Sequence, residues 1–267
     1  MQLDGSVVLI TGAASGIGAA MARRFAAEGA ASLLLADLDG DGAAALAAEL
    51  DGDGCRAVAH RADVGVRAEV EAMVAAAEAL GPIDLLCSNA GLGAGQGLEA
   101  DDETWDRLWR INVLAQVHAA QAALPAMLER GRGHLLHTAS AAGLLTTPGD
   151  APYTATKHAA VGFAEWLAIT YGDRGIGVSC LCPQGVNTPL LMRGVEEGNA
   201  SAMAVHAAAE VLQPEDVAQT VVEGLAEDRF LLLPHADVAK HAAFKGADRD
   251  KWIATLRRVL RGSGTTG

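Results

Sequence analysis

The sequence predicts an α/β fold in which helices cover both faces of a single parallel sheet. Seven short apolar runs alternate along the chain with longer segments rich in alanine and leucine. This alternation is typical of buried strands joined by crossover helices. The chain has 267 residues, and α/β domains commonly bury one undivided core at this length. We therefore expect a single doubly wound domain.

The expected strands and helices follow one another in a regular order. The apolar runs that we interpret as strands lie at 7–11, 32–37, 58–62, 83–88, 134–139, 178–182 and 230–233. The segments that we interpret as helices lie at 17–28, 43–50, 66–80, 105–128, 153–171 and 214–226. A strand, a helix and a parallel strand form the unit from which such sheets are built.

Two segments interrupt this alternation, and an extension follows the last strand. The glycine-rich segment 92–98 and the segment 190–209 are expected to be loops near a site, with 190–209 as the substrate loop. In the C-terminal extension, 236–261, apolar residues recur at helical spacing, which favours a packing or interface helix over a lid. The domain is expected to span 1–261, with 262–267 as a flexible tail.

Charge and composition exclude several classes of protein. Lys and Arg number 20 against 33 Asp and Glu, and the net charge of −13 repels nucleic acid. There is no apolar run of 18 residues and no basic segment at the start, so we expect no membrane span, no signal peptide and a cytoplasmic protein. The cysteines, Cys55, Cys87, Cys180 and Cys182, form no CxxC pair, so we expect core residues and no metal site.

A glycine-rich turn directly follows the first strand. The sequence 11–18 places Gly12, Gly16 and Gly18 between that strand and the next helix. Glycines allow a sharp turn and a close approach of the backbone to a pyrophosphate, whose charge is stabilised at the start of a helix. The spacing is G-x3-G-x-G and not the commoner G-x-G-x-x-G, so the motif alone fits phosphate binding and a structural turn equally well.

Asp37 ends the second strand and favours one dinucleotide over another. A carboxylate there can accept both hydroxyls of an adenosine ribose. It would repel a 2′-phosphate by about 1–4 kcal/mol at ~4 Å, and neither Ser15 nor Leu38 supplies a cation. The sequence therefore predicts NAD over NADP. Arg23 and Arg24 could reverse this preference, but they lie a turn or more into the helix and are expected to face solvent.

Tyr153 and Lys157 open the helix after the fifth strand. Their i,i+4 spacing places the phenol and the ammonium on one face, where the cation is expected to lower the pKa of the phenol. Such a tyrosine can exchange a proton near neutral pH. The alternative is an amphipathic helix with a half-buried tyrosine and a solvated lysine.

Taken together, these residues resemble the short-chain dehydrogenase/reductase family over about 5–235. The motifs that carry the resemblance are 11–18, Asp63, Asn89-Ala90-Gly91, Asn112, Ser140, Tyr153-x3-Lys157 and 183–188. The family implies a Rossmann-type fold, for which we expect the strand order 3-2-1-4-5-6-7. It also implies an oxidoreductase that transfers a hydride between NAD(H) and a secondary alcohol or ketone.

The resemblance assigns roles to four catalytic residues. Tyr153 would exchange the proton with the substrate oxygen, and Ser140 would hydrogen-bond that oxygen. Lys157 would bind the nicotinamide ribose and lower the pKa of Tyr153. Asn112, within the long segment 105–128, would hold a water that links Lys157 to solvent.

The resemblance also implies the cofactor-binding set. It comprises Gly12, Ser15, Gly16, Ile17, Gly18, Asp37, Leu38, Asp63, Val64, Asn89, Ala90, Gly91, Tyr153, Lys157, Pro183, Gly185, Val186 and Thr188. Within it, Asp63 would bind the adenine amine and Thr188 the carboxamide. The chain departs from the family at Ser88, where asparagine is common, and at Gln184, where glycine is usual. Ser140, Gln184, Leu190 and Leu191 are the expected substrate contacts.

Other functions and partners stay open. The alternatives are an NADPH-dependent acyl or polyketide ketoreductase and a non-catalytic nucleotide-binding scaffold or sensor. Apolar residues in 190–209 favour an apolar, steroid-like or alicyclic substrate. The family implies a homotetramer, or a homodimer, formed by the helices at 105–128 and 153–171. We interpret the histidines 134, 137 and 158 as non-catalytic, and expect the tryptophans 105, 109 and 166 to pack against the sheet or a partner subunit.

Overall fold

A seven-stranded parallel sheet forms the centre of the computed structural model, which describes residues 1–52, 54–208 and 210–262. The strands are β1 Val7–Thr11, β2 Ser32–Asp37, β3 Arg56–Arg61, β4 Leu85–Ser88, β5 Gly133–Thr138, β6 Ile176–Leu181 and β7 Leu231–Leu232. Their spatial order is β3-β2-β1-β4-β5-β6-β7, and every pair is parallel. The predicted fold class and strand order are confirmed.

Helices cover both faces of the sheet. They are α1 Gly16–Ala27, α2 Gly40–Leu50, α3 Arg67–Glu78, α4 Asp102–Trp109, α5 Ala115–Glu129, α6 Ala142–Leu145, α7 Ala151–Tyr171, α8 Pro189–Glu196, α9 Ala200–Ala208, α10 Pro214–Ala226, α11 Ala236–Ala247 and α12 Arg249–Gly262. Alternate strand residues point to opposite faces, so Leu9 joins the core beneath α3, α5 and α7, while Val8 and Ile10 join the core beneath α1 and α10. Burial on both faces explains why central strands such as β1 and β2 are nearly continuous apolar runs.

The parallel arrangement brings the carboxyl ends of the strands to one edge. Thr11 lies opposite Ala36, Ser88 opposite His137, and Thr138 opposite Leu181. The segments that leave these strands therefore begin side by side, as expected for the binding edge of an open α/β sheet.

The helix expected at 105–128 is interrupted. A π-helical turn, Arg110–Leu114, separates α4 from α5. Such turns insert an extra residue into a helix and occur frequently at functional sites. The stretch Asp102–Glu129 is long and apolar enough to cross a membrane, but half of its most apolar part is buried within this protein.

The expectation of a loop at 190–209 was wrong, because most of this segment is helical. Thr188 caps α8 by accepting the Leu191 N–H at 3.4 Å, and Pro189 occupies the first turn. The alanine-rich sequence that follows forms α9. Residue 209 lies outside the described residues.

The C-terminal extension forms α11 and α12, which pack on α6. Val238 and Trp252 share a buried cluster with Ala141 and Leu145. Lys245 is buried and donates a hydrogen bond to the Leu144 carbonyl at 2.6 Å. The extension therefore supports the segment that follows β5. The predicted tail at 262–267 lies beyond the described residues, apart from Gly262, which ends α12.

Candidate active site

The turn between β1 and α1 depends on glycines at its sharpest positions. Gly12 and Gly16 have φ of +66° and +53°, in the left-handed region. A Cβ on Gly12 would lie 2.9 Å from Ala90 Cα, and one on Gly18 would lie 2.0 Å from the Gly12 carbonyl oxygen. Ser15 is exposed at the N-cap of α1, and Ile17 is partly buried behind it. The turn is a cradle at a helix N-terminus of the kind that binds phosphate.

Asp37 faces this cradle from the end of β2. Its carboxylate accepts the Ala14 N–H and the Asp39 N–H, each at 2.9 Å. Leu38 beside it is 57% exposed. An acceptor therefore lies next to the glycine turn, where an adenosine ribose would follow a bound pyrophosphate.

Three arginines lie near the glycine turn and Asp37, and two of them form ion pairs with glutamates. Two nitrogens of Arg23 contact the Glu49 carboxylate at 2.7 Å, and Arg24 contacts Glu28 at 2.6 Å. Arg61 was missed in the sequence analysis, although it ends β3 directly opposite Asp37. Its side chain lies over Gly40, where a Cβ would be 3.1–3.3 Å from the arginine carbons.

The segments after β3 and β4 complete the cofactor side. Asp63 accepts the Gly65 N–H at 2.8 Å, and Val64 is buried beside it. The Asn89 amide donates to the Thr11 carbonyl at 3.1 Å and accepts the Thr138 hydroxyl at 3.1 Å. Asn89 therefore ties the ends of β1, β4 and β5 together.

Tyr153 and Lys157 lie in the first two turns of α7, facing Ser140 after β5. The Lys157 ammonium is buried, donates to the Thr138 carbonyl at 3.0 Å and lies 5.6 Å from the Tyr153 ring centroid. The Ser140 hydroxyl accepts the Ala142 N–H at 3.1 Å, donates to the Pro183 carbonyl at 3.4 Å and lowers the pKa of the neighbouring Tyr153 phenol. These three side chains form one cluster at the carboxyl edge of the sheet.

Burial dominates the electrostatics of this cluster. It raises the pKa of Tyr153 to about 12, although the hydrogen bond from Ser140 opposes the shift. Burial also lowers the pKa of Lys157 to about 8. The expectation of a lowered pKa for Tyr153 was wrong, because desolvation of the phenol raises that pKa and the Lys157 ammonium does not reverse the shift. Tyr153 is therefore a protonated acid near neutral pH.

Asn112 occupies the centre of the π turn. Its side chain accepts the Leu92 N–H and donates to the Leu92 carbonyl, each at 2.9 Å, and also donates to the Thr156 hydroxyl at 3.0 Å. Asn112 thus fastens the loop after β4 to α7. A Cβ on Gly91 would lie 3.2 Å from Lys157 Nζ and 3.3 Å from Asn112 Oδ1, so the loop backbone lies against both. The water-holding role of Asn112 stays a prediction.

The loop after β6 returns to the glycine turn. The Pro183 carbonyl accepts the Ala141 N–H at 2.8 Å, and Val186 is buried where it pairs with Leu212. A Cβ on Gly16 would lie 3.0 Å from Thr188 Cγ2, so this loop touches the cradle. Gly185 and Gln184 are held by His235, whose Nδ1 accepts the Gln184 N–H at 3.2 Å and whose Nε2 donates to the Gly185 carbonyl at 3.1 Å. Among the expected substrate contacts, Leu191 is partly buried and Leu190 is 49% exposed.

The histidines on β5 are core residues. His134 contacts the Ser179 hydroxyl at 2.9 Å, and His137 contacts the Gln116 amide oxygen at 3.0 Å. Burial lowers the pKa of each to about 4, so both are neutral at physiological pH. Within the described ranges, no group of three or more His, Cys, Asp or Glu is placed to hold a metal ion.

A nicotinamide dinucleotide fits these residues. The glycine cradle would hold the pyrophosphate, Asp37 the adenosine ribose, and the 183–188 loop the nicotinamide end beside Lys157. When bound, the nicotinamide accepts or supplies a hydride. The protein supplies a hydroxyl at Ser140 and a phenol at Tyr153, which can orient one substrate oxygen and exchange its proton.

Sequence reasoning missed several residues that shape this site. The Thr138 carbonyl accepts a hydrogen bond from Lys157, and the Thr156 hydroxyl accepts one from Asn112. No sequence motif identifies either threonine. Thr11 accepts the N–H groups of Asn89 and Ala90. Asp150 caps α7, and its place before Ala-Pro at a helix start is a signal that could have identified it.

Comparison with known proteins supports the same assignment. The family model described as short chain dehydrogenase matches residues 6–199. The 1-deoxy-11-beta-hydroxypentalenate dehydrogenase of Streptomyces exfoliatus is 40% identical, covering 89% of this chain and 86% of that protein. A Burkholderia phymatum short chain dehydrogenase/reductase in complex with NAD has TM-score 0.84 and 33% identity, covering 94% and 96% of the two chains. A Sphingobium yanoikuyae short-chain dehydrogenase with NADPH has TM-score 0.80 and 29% identity, covering 93% and 95%.

Tyr153→Phe tests the proton-transfer role. Removing the phenol oxygen is expected to lower turnover roughly 10²- to 10⁴-fold while cofactor affinity is retained, because the ring and its packing persist. Steady-state kinetics and cofactor fluorescence titration measure the two effects. Tyr171→Phe, the same change at the far end of α7, is the control and should leave both unchanged. Full turnover in Tyr153→Phe would contradict the proton-transfer role of the phenol, whereas a wild type that binds cofactor but has no turnover would favour a non-catalytic scaffold.

Lys157→Met tests how much the buried ammonium lowers the free energy of unfolding. The folded-state pKa of about 8 lies below the ordinary 10.5, so the charged form destabilises the fold below about pH 8, and this cost disappears as pH rises to 10.5. The variant should be inactive yet more stable near pH 7, by about 1–3 kcal/mol, since the lost bond to Thr138 offsets part of the gain.

Urea denaturation at pH values below 8 and near 10 measures this difference, which should shrink at the higher pH. Lys240→Met is the control, because Lys240 is exposed and pairs with Asp237 at the surface. A Lys157→Met protein that is less stable than the wild type near neutral pH would contradict the argument.

Proposed function

The chain belongs to the short chain dehydrogenase family, and we propose that it transfers a hydride between NAD and an apolar secondary alcohol or ketone. Its membership makes it an oxidoreductase acting on CH–OH groups. The observation that carries the choice of NAD is the Asp37 carboxylate beside the glycine turn.

The charges around Asp37 support NAD. A 2′-phosphate on the ribose would approach a carboxylate that already accepts two backbone N–H groups, from Ala14 and Asp39. The repulsion would be about 1–4 kcal/mol for each pair of charges. Arg23 and Arg24 are paired with Glu49 and Glu28, so they do not offset it.

One observation favours the alternative of an NADPH-dependent ketoreductase. Arg61 ends the strand next to Asp37 and is exposed. A guanidinium at that position could reach a 2′-phosphate and reduce the repulsion. The relatives do not decide the matter, because one similar structure holds NAD and another NADPH.

The chemistry follows from the positions of Tyr153, Ser140 and Lys157. In reduction of a ketone, the Tyr153 phenol donates its proton to the substrate oxygen while Ser140 holds that oxygen. Alcohol oxidation uses the same atoms in reverse and needs Tyr153 to receive the proton. Lys157 stabilises the phenolate that reduction leaves, since its ammonium lies over the ring.

The apolar residues of α8 and α9 support an apolar substrate. Leu190, Leu191, Met192 and Val195 lie on α8, and Met203 lies on α9. The turn between these helices reaches the active-site loops, because Ser201 approaches Gly149 and Asn199 approaches Gly95. The Streptomyces exfoliatus relative is a dehydrogenase of a hydroxylated compound, 1-deoxy-11-beta-hydroxypentalenate, which fits the same class of reaction.

We further propose that the protein forms a homotetramer through α4, α5 and α7. Trp109 and Trp166 are 42% and 53% exposed, so they do not pack on the sheet as one reading of the sequence suggested. Ile169 on α7 is 85% exposed. Large apolar side chains exposed together on such helices favour contact with another subunit.

The first test is a comparison of NADH and NADPH affinity. Wild-type protein should bind NADH more tightly, and Asp37→Ala should bring the two dissociation constants closer, by roughly 10-fold, as the carboxylate repulsion is lost. Fluorescence titration at fixed ionic strength measures both.

Asp41→Ala is the matched control, because it removes one exposed carboxylate from the start of α2 without touching the glycine turn. Arg61→Ala distinguishes the alternative, an NADPH-dependent ketoreductase, from the proposed NAD-dependent enzyme. Tighter NADPH binding by the wild type that disappears in Arg61→Ala would overturn the assignment and identify an NADPH-dependent reductase.

The second test is the mass of the assembly. Light scattering should give four times the 27.3 kDa chain mass for the wild type. A double change, Trp166→Glu with Ile169→Glu, should lower this mass by placing charges in the contact. Ile253→Glu on α12 is the control and should leave the mass unchanged. A wild-type mass of one chain would exclude the tetramer.

A further inference from the structure

A buried carboxylate just before α7 joins two parts of the active site. Asp150 is 4% exposed. One of its oxygens accepts the Tyr153 N–H at 3.0 Å, and the other accepts the N–H groups of Ala94 at 3.0 Å and Gly95 at 2.6 Å. Three backbone donors from two distant segments therefore meet on one side chain, which the reaction itself does not use.

The segment that Asp150 holds is the loop 92–98, which forms a wall beside the catalytic tyrosine. A Cβ on Gly93 would lie 3.5 Å from an Asp150 oxygen and 3.9 Å from Tyr153 Cδ2, so the loop backbone lies against the ring. The start of the loop is fixed separately by Asn112 through Leu92. Asp150 therefore anchors this loop at a further point, beside the Ala151 N–H, which donates to the Gln96 carbonyl at 2.9 Å.

The same loop supports the helices that lie over the substrate side. A Cβ on Gly95 would overlap the Asn199 side chain, and one on Gly149 would lie 3.3 Å from Ser201 Cβ. Gly95 and Gly149 have φ of +64° and +84°, a conformation that glycine readily adopts. The turn between α8 and α9 thus docks on the two backbone segments that Asp150 joins.

We propose that Asp150 is a positioning residue that fixes the substrate-side wall of the site, by holding the loop 92–98 against the start of α7. The inference rests on the proposed function, because it assumes that the substrate lies between this loop, Tyr153 and the turn between α8 and α9. It predicts that Asp150 governs substrate affinity without touching the substrate.

The charge of Asp150 also acts on Tyr153. Burial is the main cause of the raised pKa of Tyr153, and the negative charge of Asp150 raises it further by disfavouring the phenolate, as an ionised Cys182 would. Ser140 opposes the shift, and the Lys157 ammonium lies over the ring. Burial raises the pKa of Asp150 itself, and its three N–H partners oppose that shift. Removing this charge should make Tyr153 easier to ionise, an effect that a simple helix cap would not have.

Two substitutions distinguish the role of Asp150 in holding the loop 92–98 from its role as the N-cap of α7. Asp150→Ser keeps a hydroxyl that can cap the Tyr153 N–H but cannot reach Ala94 and Gly95. Asp150→Asn keeps the shape but presents an amide to those two N–H donors and removes the charge. Asp101→Asn is the matched control, because Asp101 caps α4 in the same way and is exposed.

The first readout is amide hydrogen exchange of the loop 92–98 in protein without substrate. Both Asp150 variants should lose protection at Ala94 and Gly95, while Asp101→Asn keeps it. In alcohol oxidation, both should raise KM roughly 10- to 100-fold, in line with the loss of hydrogen bonds to a charged group. Unchanged exchange and unchanged KM would overturn the proposal and leave Asp150 as a structural cap.

The second readout is the ionisation of Tyr153. The chain has two tyrosines, so Tyr171→Phe leaves Tyr153 as the sole source of tyrosinate absorbance. In that background, Asp150→Asn should move the onset of ionisation to lower pH, and the acidic limb of the oxidation profile should move the same way. If the pH at which Tyr153 begins to ionise is unchanged, the inference that the charge of Asp150 raises the pKa of Tyr153 is contradicted. If the wild type oxidises no alcohol but both Asp150 variants lose amide protection at Ala94 and Gly95, the proposed function fails. The role of Asp150 in holding the loop 92–98 is then still supported.

Discussion

The buried ammonium of Lys157 is the interaction on which the arrangement of this site depends. A cation taken out of water is unstable unless strong dipoles face it, and Lys157 is 3% exposed. Its partner is the carbonyl of Thr138, the last residue of β5, at 3.0 Å. The lysine can reach that carbonyl only if α7 lies close against the carboxyl end of β5, which also sets the distance from Tyr153 to Ser140.

Glycines make this close approach possible. A Cβ on Gly143 would lie 2.4 Å from the Lys157 carbonyl oxygen, and one on Gly91 would lie 3.2 Å from Lys157 Nζ. The backbone of α6 on one side and of the loop after β4 on the other therefore approach the lysine directly. The extension supports α6 from outside through Lys245 and Trp252. A site that holds a buried charge is thus built into a rigid part of the fold, where its geometry changes little.

The sequence predicts those features that depend on local pattern. Apolar runs identify all seven strands, because both faces of the sheet are buried, and the i,i+4 spacing places Tyr153 and Lys157 together. The π turn at Arg110–Leu114 was not predicted, since Asn112 in that turn bonds a distant partner, Leu92. The helices α8 and α9 were missed although the Thr188 cap and Pro189 are local signals of a helix start. The electrostatics could not be predicted either. The pattern shows that a lysine is near a tyrosine, but only the fold shows how deeply each is buried.

The depth of burial changes the role that each residue can have. Burial raises the pKa of Tyr153 to about 12, so the phenolate needed for alcohol oxidation is disfavoured near neutral pH. The charge of Asp150 raises the pKa of Tyr153 further, and the single ammonium of Lys157 does not reverse the shift. The residues that would hold the nicotinamide lie beside Lys157, so an oxidised cofactor bound there would add positive charge near the phenol. Tyr153 would then lose its proton more readily, and alcohol oxidation needs that phenolate as its base. The electrostatics thus link proton transfer to occupancy of the cofactor site.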